Sequence, residues 1–261
     1  MIAVDARTVQ KTYGGPRDTL ALQDISLEIP EGQFVSILGP SGCGKSTFLR
    51  CMAGLEEISD GSLSVQGRKV AGPPDNIGMV FQRDALLDWR TIERNIMLPI
   101  EFARKSTAQA RPRMEELLKL TKLDGFADRY PRELSGGMRQ RAAICRALID
   151  SPEILLMDEP FGALDALTRD QMNVELQNLW MGVRNTVVFV THGISEAVYL
   201  GDKVVVFSPR PGRILEVIDI DIPRPRKLAV RETREFGVYT QHIRDLFEKM
   251  GLFNDNVGEK P

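Results

Sequence analysis

Three cysteines, two histidines and two tryptophans are all that the 261 residues contain of these types. Cys43, Cys51 and Cys145 stand in or beside helix-like segments, without metal-ligand spacing. Their odd number argues against a disulfide framework and for reduced thiols in a cytosol. No apolar run approaches the roughly eighteen residues that a membrane-crossing helix needs; "ILLM" and "VVFV" are typical. The opening "MIAVDARTVQ" lacks the basic start and apolar stretch of a signal peptide. Neither sign of charge dominates: 34 Lys+Arg against 36 Asp+Glu leave −2 at pH 7. That excludes a chain governed by nucleic-acid phosphates, though not a local basic patch. Internal repeats and low-complexity segments are absent too. What is present is 43% hydrophobic and 27% charged residues, enough for a packed core in one large domain or two small ones.

Short, continuously apolar runs alternate with helical patterns. "FVSIL" (34–38), "EILLMDE" (153–159) and "TVVFVTH" (186–192) read as strands buried on both faces, and "NIGMVFQ" as another ending at Gln82. Earlier, "ALQDISLEIP" alternates as a half-buried strand, and "GSLSVQGRKV" reads as a hairpin. Residues 91–122 look helical with Pro99 and Pro112 as interruptions, and Met172, Leu176, Leu179 and Val183 share one face of a helix over about 166–182. The pattern predicts an α/β core with a mainly parallel sheet and an antiparallel β part at its start, built from 1–87 and 151–222. A helical lobe is expected over 88–150 and a short tail over 223–261. The tail's basic "PRPRKLAVRETREF" reads as a solvated connector, with lipid headgroups or a partner as the other reading.

One motif carries specific chemistry. "GPSGCGKST" fits G-x-x-x-x-G-K-[ST], and it follows a buried strand and opens a helix. Gly39, Pro40, Ser41, Gly42, Cys43, Gly44, Lys45, Ser46 and Thr47 would wrap a nucleotide's phosphates with backbone N–H groups and a helix dipole. Lys45 would reach the β- and γ-phosphates, and the Ser46 hydroxyl would bind Mg²⁺. Asp158 and Glu159 end a buried strand at the carboxyl edge, where ligands of such sheets sit. Asp158 suits the Mg²⁺ shell, and Glu159 could polarise an attacking water; taken alone, they could be an ordinary acidic pair. His192 stands at a third such edge, where a structural histidine is the plainer reading. "ELSGGMRQRAAICRALID" raises a separate question. Ser135 is a good N-cap, yet Gly136 and Gly137 weaken the turn they open and suggest a second anion site.

These stretches together resemble an ATP-binding cassette (ABC) ATPase: "GPSGCGKST", Gln82 in "MVFQ", "LSGGMRQR", "ILLMDEP", "ALD" (163–165) and "THGISEA", in that family's order over about residues 4–210. The resemblance implies that Tyr13 stacks on adenine, against the plainer reading of a strand-edge tyrosine. It implies that Gln82 contacts Mg²⁺ or the attacking water, that Glu159 is the catalytic base, that His192 touches the γ-phosphate and that Asp165 bridges a dimer. It also implies a head-to-tail pair of cassettes, in which Ser135, Gly136 and Gly137 of one cap the ATP held by the other. Gly193 departs from the family's usual acidic or amide residue after the histidine, which puts the local loop geometry in question.

The branch most resembled is the ATPase subunit of nitrate, sulfonate and taurine importers, on "GMVFQRDALLDWRTIERNIMLPIE", "FGALDALTR" and "VVFSPRPGRI". That implies ATP and Mg²⁺ as cofactors, separate integral-membrane permeases, an indirectly engaged solute-binding protein, a peripheral place on the cytoplasmic face of the bacterial membrane, and no nucleic acid. Leu86, Leu87, Trp89, Ile92 and Ile96 offer a groove for a permease helix, or else packing within the lobe. A soluble ABC-type ATPase, such as one of iron–sulfur assembly, and an exporter or mechanotransmission ATPase are the alternatives. A small-molecule kinase shares the phosphate loop but not "LSGGMRQR".

Overall fold

The computed structural model describes residues 1–15 and 18–252. β1 (Ile2–Tyr13) pairs antiparallel with β2 (Thr19–Pro30) and with β4 (Asp60–Val65), and β4 with the short β5 (Arg68–Lys69). The second sheet is built on β3 (Phe34–Leu38), β6 (Ile77–Val80), β7 (Ile154–Asp158), β8 (Thr186–Thr191), β9 (Lys203–Phe207) and β10 (Ile214–Asp219). Its order is β10-β9-β3-β8-β7-β6, parallel throughout except for the antiparallel edge β10.

The continuous apolar runs are explained by burial on both faces. Phe34, Leu38, Leu155, Met157, Val187 and Phe189 project to one side, and Val35, Ile37, Ile154, Leu156, Val188 and Val190 to the other. The first side packs the helical lobe, α6 (Ala166–Val183), α7 (Ile194–Leu200) and α8 (Arg234–Lys249). The second packs α1 (Lys45–Met52) and the antiparallel sheet. Strand parity then decides where site residues point. Asp158 shares the parity of Leu156 and so faces α1, whereas Thr191 shares that of Phe189 and faces α7. The carboxyl ends of β3, β6, β7 and β8 lie along one edge, which is where the loops they feed converge.

The lobe comprises α2 (Ile92–Ile96), α3 (Leu98–Phe102), α4 (Thr107–Leu120) and α5 (Gly136–Leu148). Pro99 starts α3 as expected of a helix-opening proline. Pro112, expected to interrupt, lies inside α4. Its lost hydrogen bond is outweighed by burial of Met114, Leu117 and Leu118 one turn on. The strand expected to end at Gln82 ends at Val80, leaving Gln82 in a loop.

The tail departs most from expectation. Residues 253–261 lie outside the described residues, but 223–250 are no solvated connector. Phe236, Ile243 and Phe247 of α8 are buried against the core. Arg226, also buried, donates from Nη1 to the carbonyls of Val198 (2.8 Å), Tyr199 (3.0 Å) and Gly201 (2.8 Å), and from Nε to Ile222 (3.0 Å). The basic run is therefore partly a C-terminal cap for α7, satisfying carbonyls the helix leaves open. Burial lowers the Arg226 pKa to about 10, and it stays charged at neutral pH.

Candidate functional site

The loop after β3 turns into α1 at Gly44, whose φ of 106° suits glycine alone. A Cβ there would lie 2.7 Å from the Ala21 carbonyl oxygen, so β2 presses the loop into shape. The first turn of α1 holds no acidic residue, leaving its N–H groups for an anion. Lys45 is buried, and its ammonium donates to the carbonyls of Gly39 (2.8 Å) and Pro40 (3.0 Å). Burial raises the Cys43 thiol, so this loop cysteine stays protonated at neutral pH. All three cysteines are buried and unpaired.

Facing α1, Asp158 accepts a 2.6 Å hydrogen bond from the Ser46 hydroxyl, the contact that strand parity requires. Burial pushes the Asp158 carboxyl above its ordinary range. A hydroxyl and one carboxylate are the hard oxygen donors that Mg²⁺ takes when phosphates complete its shell. Among the described residues no trio of His, Cys, Asp or Glu forms a metal-binding group.

Glu159 is the hub of the site. Its backbone has φ 45°, in the left-handed region, held by its N–H to the Val190 carbonyl (3.0 Å) and by the Gly162 N–H to its own carbonyl (3.1 Å). The carboxylate lies 3.8 Å from Lys45 Nζ, 3.4 Å from His192 Nδ1 and 3.5 Å from Gln82 Nε2. Four residues far apart in sequence thus meet at one carboxylate. A cleft of about 170 Å³ runs from Glu159 and His192 along α6 and α7 to Arg231. Gly193 has φ −92° and ψ 111°, open to any residue, so its departure from the usual pattern leaves the turn ordinary.

The glycine pair lies elsewhere. Ser135 caps α5 by accepting from the Met138 N–H at 3.3 Å. A Cβ on Gly136 or Gly137 would meet Leu164, Arg139 or Thr168, not the 39–47 loop. The two glycines differ: Gly136 is exposed with nothing nearer than 3.8 Å, whereas a Cβ on buried Gly137 would stand 2.9 Å from Thr168 Cγ2. Gly137 is small in order to let α5 lie against α6 of the same chain. The sequence could not separate the two, because the packing partner is thirty residues downstream.

Residues 22–162 match the family described as ABC transporter. The chain belongs to that family. It is 48% identical to the taurine import ATP-binding protein TauB of Rhizobium johnstonii, over 86% of each chain. With the aliphatic sulfonates import ATP-binding protein SsuB of Bacillus licheniformis it shares 40% over 98% of this chain and 99% of the relative. Among solved structures, the ATP-binding cassette MJ0796, dimeric in a post-hydrolysis state with ADP and Pi, superposes with a TM-score of 0.74 at 35% identity, over 84% of this chain and all of that one.

In this ABC ATPase, sequence reasoning missed the residues that fasten α5. Arg139 Nε donates to Asp84 Oδ2 (2.9 Å), and Arg146 to the carbonyls of Asp84 (2.8 Å) and Ala85 (2.7 Å). Fully buried Asn95 binds the Leu87 N–H and the carbonyls of Leu87, Arg90 and Thr91, at 2.7–3.1 Å. Segment 84–91, just after Gln82, is thereby tied to α5. The apolar residues there sort themselves: Leu86, Ile92 and Ile96 are buried in the lobe's core. Trp89 is 76% exposed and Leu87 half-buried. Asp165 caps α6 through the Thr168 N–H (3.0 Å) and hydroxyl (2.6 Å), bonds that lower its carboxyl pKa. Tyr13 ends β1, with Lys11 Nζ 4.8 Å above its ring. No described helix is long and apolar enough to cross a membrane.

Proposed function

We propose that the chain hydrolyses ATP within a head-to-tail dimer and thereby drives import of a small anionic solute, of the sulfonate or nitrate kind, through separate permeases. The meeting of Lys45, Gln82 and His192 at the Glu159 carboxylate, beside the Ser46–Asp158 pair, supports the hydrolytic reading most. Adenine would stack on Tyr13 and the phosphates lie in the Gly39–Thr47 loop. Ser46, Asp158 and Gln82 would hold Mg²⁺, which when bound neutralises charge on the phosphate oxygens. Glu159 takes a proton from water as the water oxygen bonds to the γ-phosphorus and the bond from that phosphorus to the bridging β,γ-oxygen breaks, leaving ADP and phosphate. Lys45 and His192 offset charge on the transferred group.

Ser135 and the open side of Gly136 would close on the γ-phosphate of a second copy, with Asp165 beside that site. Gly137 serves by letting α5 sit where it does. ATP then joins the two chains, and hydrolysis releases them. The relatives' names, taurine and aliphatic sulfonates import ATP-binding proteins, support import; a solute-binding protein acting through the permease and residence at the cytoplasmic face belong to the same proposal. Exposed Trp89 and half-buried Leu87, held on the Asn95 frame, suit a permease helix docked beside the lobe. Reconstitution in vesicles with a candidate permease tests this reading. Trp89→Ala should retain ATP binding and basal hydrolysis while transport falls at least tenfold. Unchanged transport would remove Trp89 from the docking surface.

A further inference from the structure

His192 is held between two residues that are bonded to each other. Thr191 ends β8, and Gly193 precedes α7. The Gly193 N–H donates to the Thr191 hydroxyl oxygen at 2.9 Å. That hydroxyl has one proton, and it donates it to the Glu196 carboxylate. Glu196 lies one turn into α7, where the Ala197 N–H already bonds the Gly193 carbonyl (3.0 Å). Residues 191–196 thus form a closed ring with the imidazole projecting from it, Nδ1 3.4 Å from Glu159.

From this we infer that Glu196 is the positioning residue for His192, acting through the Thr191 hydroxyl. Glu196 is 9% exposed and Thr191 2% exposed, so their bond is largely shielded from bulk solvent. The other carboxylate oxygen, Oε1, has no hydrogen-bond partner among the described residues. A fold seldom leaves half a buried carboxylate unsatisfied where an apolar side chain would pack as well. A directional acceptor for Thr191 accounts for keeping it. Burial raises the Glu196 carboxyl, while the Thr191 bond and the charges of Arg169, His192 and Arg231 draw it back. Arg231 comes from the C-terminal segment and also pairs with Asp170 of α6, so the ring is backed on its far side by α6 and that segment together. Glu196 makes no described bond to Glu159, Gln82 or Lys45, and its effect on catalysis has to pass through the histidine.

The inference rests on His192 touching the γ-phosphate, and the test separates the two. Thr191→Val keeps shape and removes the hydroxyl; Glu196→Leu removes the acceptor; Glu196→Gln keeps an acceptor without charge. With ATP, kcat should fall at least tenfold in the first two, with KM changed less than twofold, and the Gln variant should recover most of the rate. The chain has only two histidines, so its imidazole NMR signals resolve His192 from His242, the internal control. Those of His192 should move in Thr191→Val and Glu196→Leu while those of His242 stay. Unmoved His192 signals with an unchanged kcat would overturn the inference and leave Glu196 a packing group. Should Glu196→Leu fail to fold, Glu196→Ala takes its place, because Thr191→Val also removes the Gly193 bond. If His192→Ala itself leaves hydrolysis intact, the reading of His192 fails, while the imidazole shifts still report whether Glu196 positions it.

Discussion

Glu159 presents its carboxylate from a left-handed backbone, a conformation that costs a non-glycine residue about 1–3 kcal/mol. Glu159→Gln keeps shape and hydrogen bonding but cannot take a proton. Steady-state hydrolysis should fall about 10²–10⁴-fold with ATP affinity retained, as measured by phosphate release and nucleotide titration. A fall of less than tenfold would move the base elsewhere. The residue types were legible because each motif is a local string. The inequality of Gly136 and Gly137 was not, since it depends on Thr168 of another helix. It yields a paired expectation in thermal melting. Gly136→Ala should be neutral or stabilise by up to about 1 kcal/mol, by raising helix propensity. Gly137→Ala should destabilise by about 1–3 kcal/mol through overpacking. An Asp at 137 would therefore confound loss of folding with loss of function, and position 136 is the cleaner probe.

Elements were read well wherever burial on both faces wrote continuous apolar runs, as in β3, β7 and β8, or a regular stripe, as in α6. Illegible were contacts that reverse a residue's usual habit. Arg226 and Asn95 are polar and would be placed in solvent, yet both are buried and satisfied by backbone groups, those of Arg226 mostly at the end of α7 and those of Asn95 in the segment just before α2. Leu86 and Trp89 look alike as sequence, and only the packing of α2 against α5 separates them. Asn95→Ala would orphan the Leu87 N–H, and should cost at least about 2 kcal/mol in urea unfolding. Phe247→Ala should cost about 3 kcal/mol, since α8 is part of the core rather than a trailing segment. An unfolding midpoint unaffected by Phe247→Ala would return the tail to the role of connector.

At the scale of the whole molecule, the chain places its two anion-oriented elements apart. The phosphate loop and the Glu159 cluster share the carboxyl edge of the sheet, while the Ser135–Gly136 turn is pinned to segment 84–91 and α6. On the proposed function, these are two halves of a site that a second copy would join. Sedimentation velocity of Glu159→Gln, with and without ATP and Mg²⁺, tests this most directly. The chain should sediment as a monomer without nucleotide and as a dimer with it, and Gly136→Asp added to that variant should restore the monomer while each chain still binds ATP. A Glu159→Gln chain that remains monomeric at saturating ATP, or a Gly136→Asp chain that dimerises as well as its parent, would contradict the shared site.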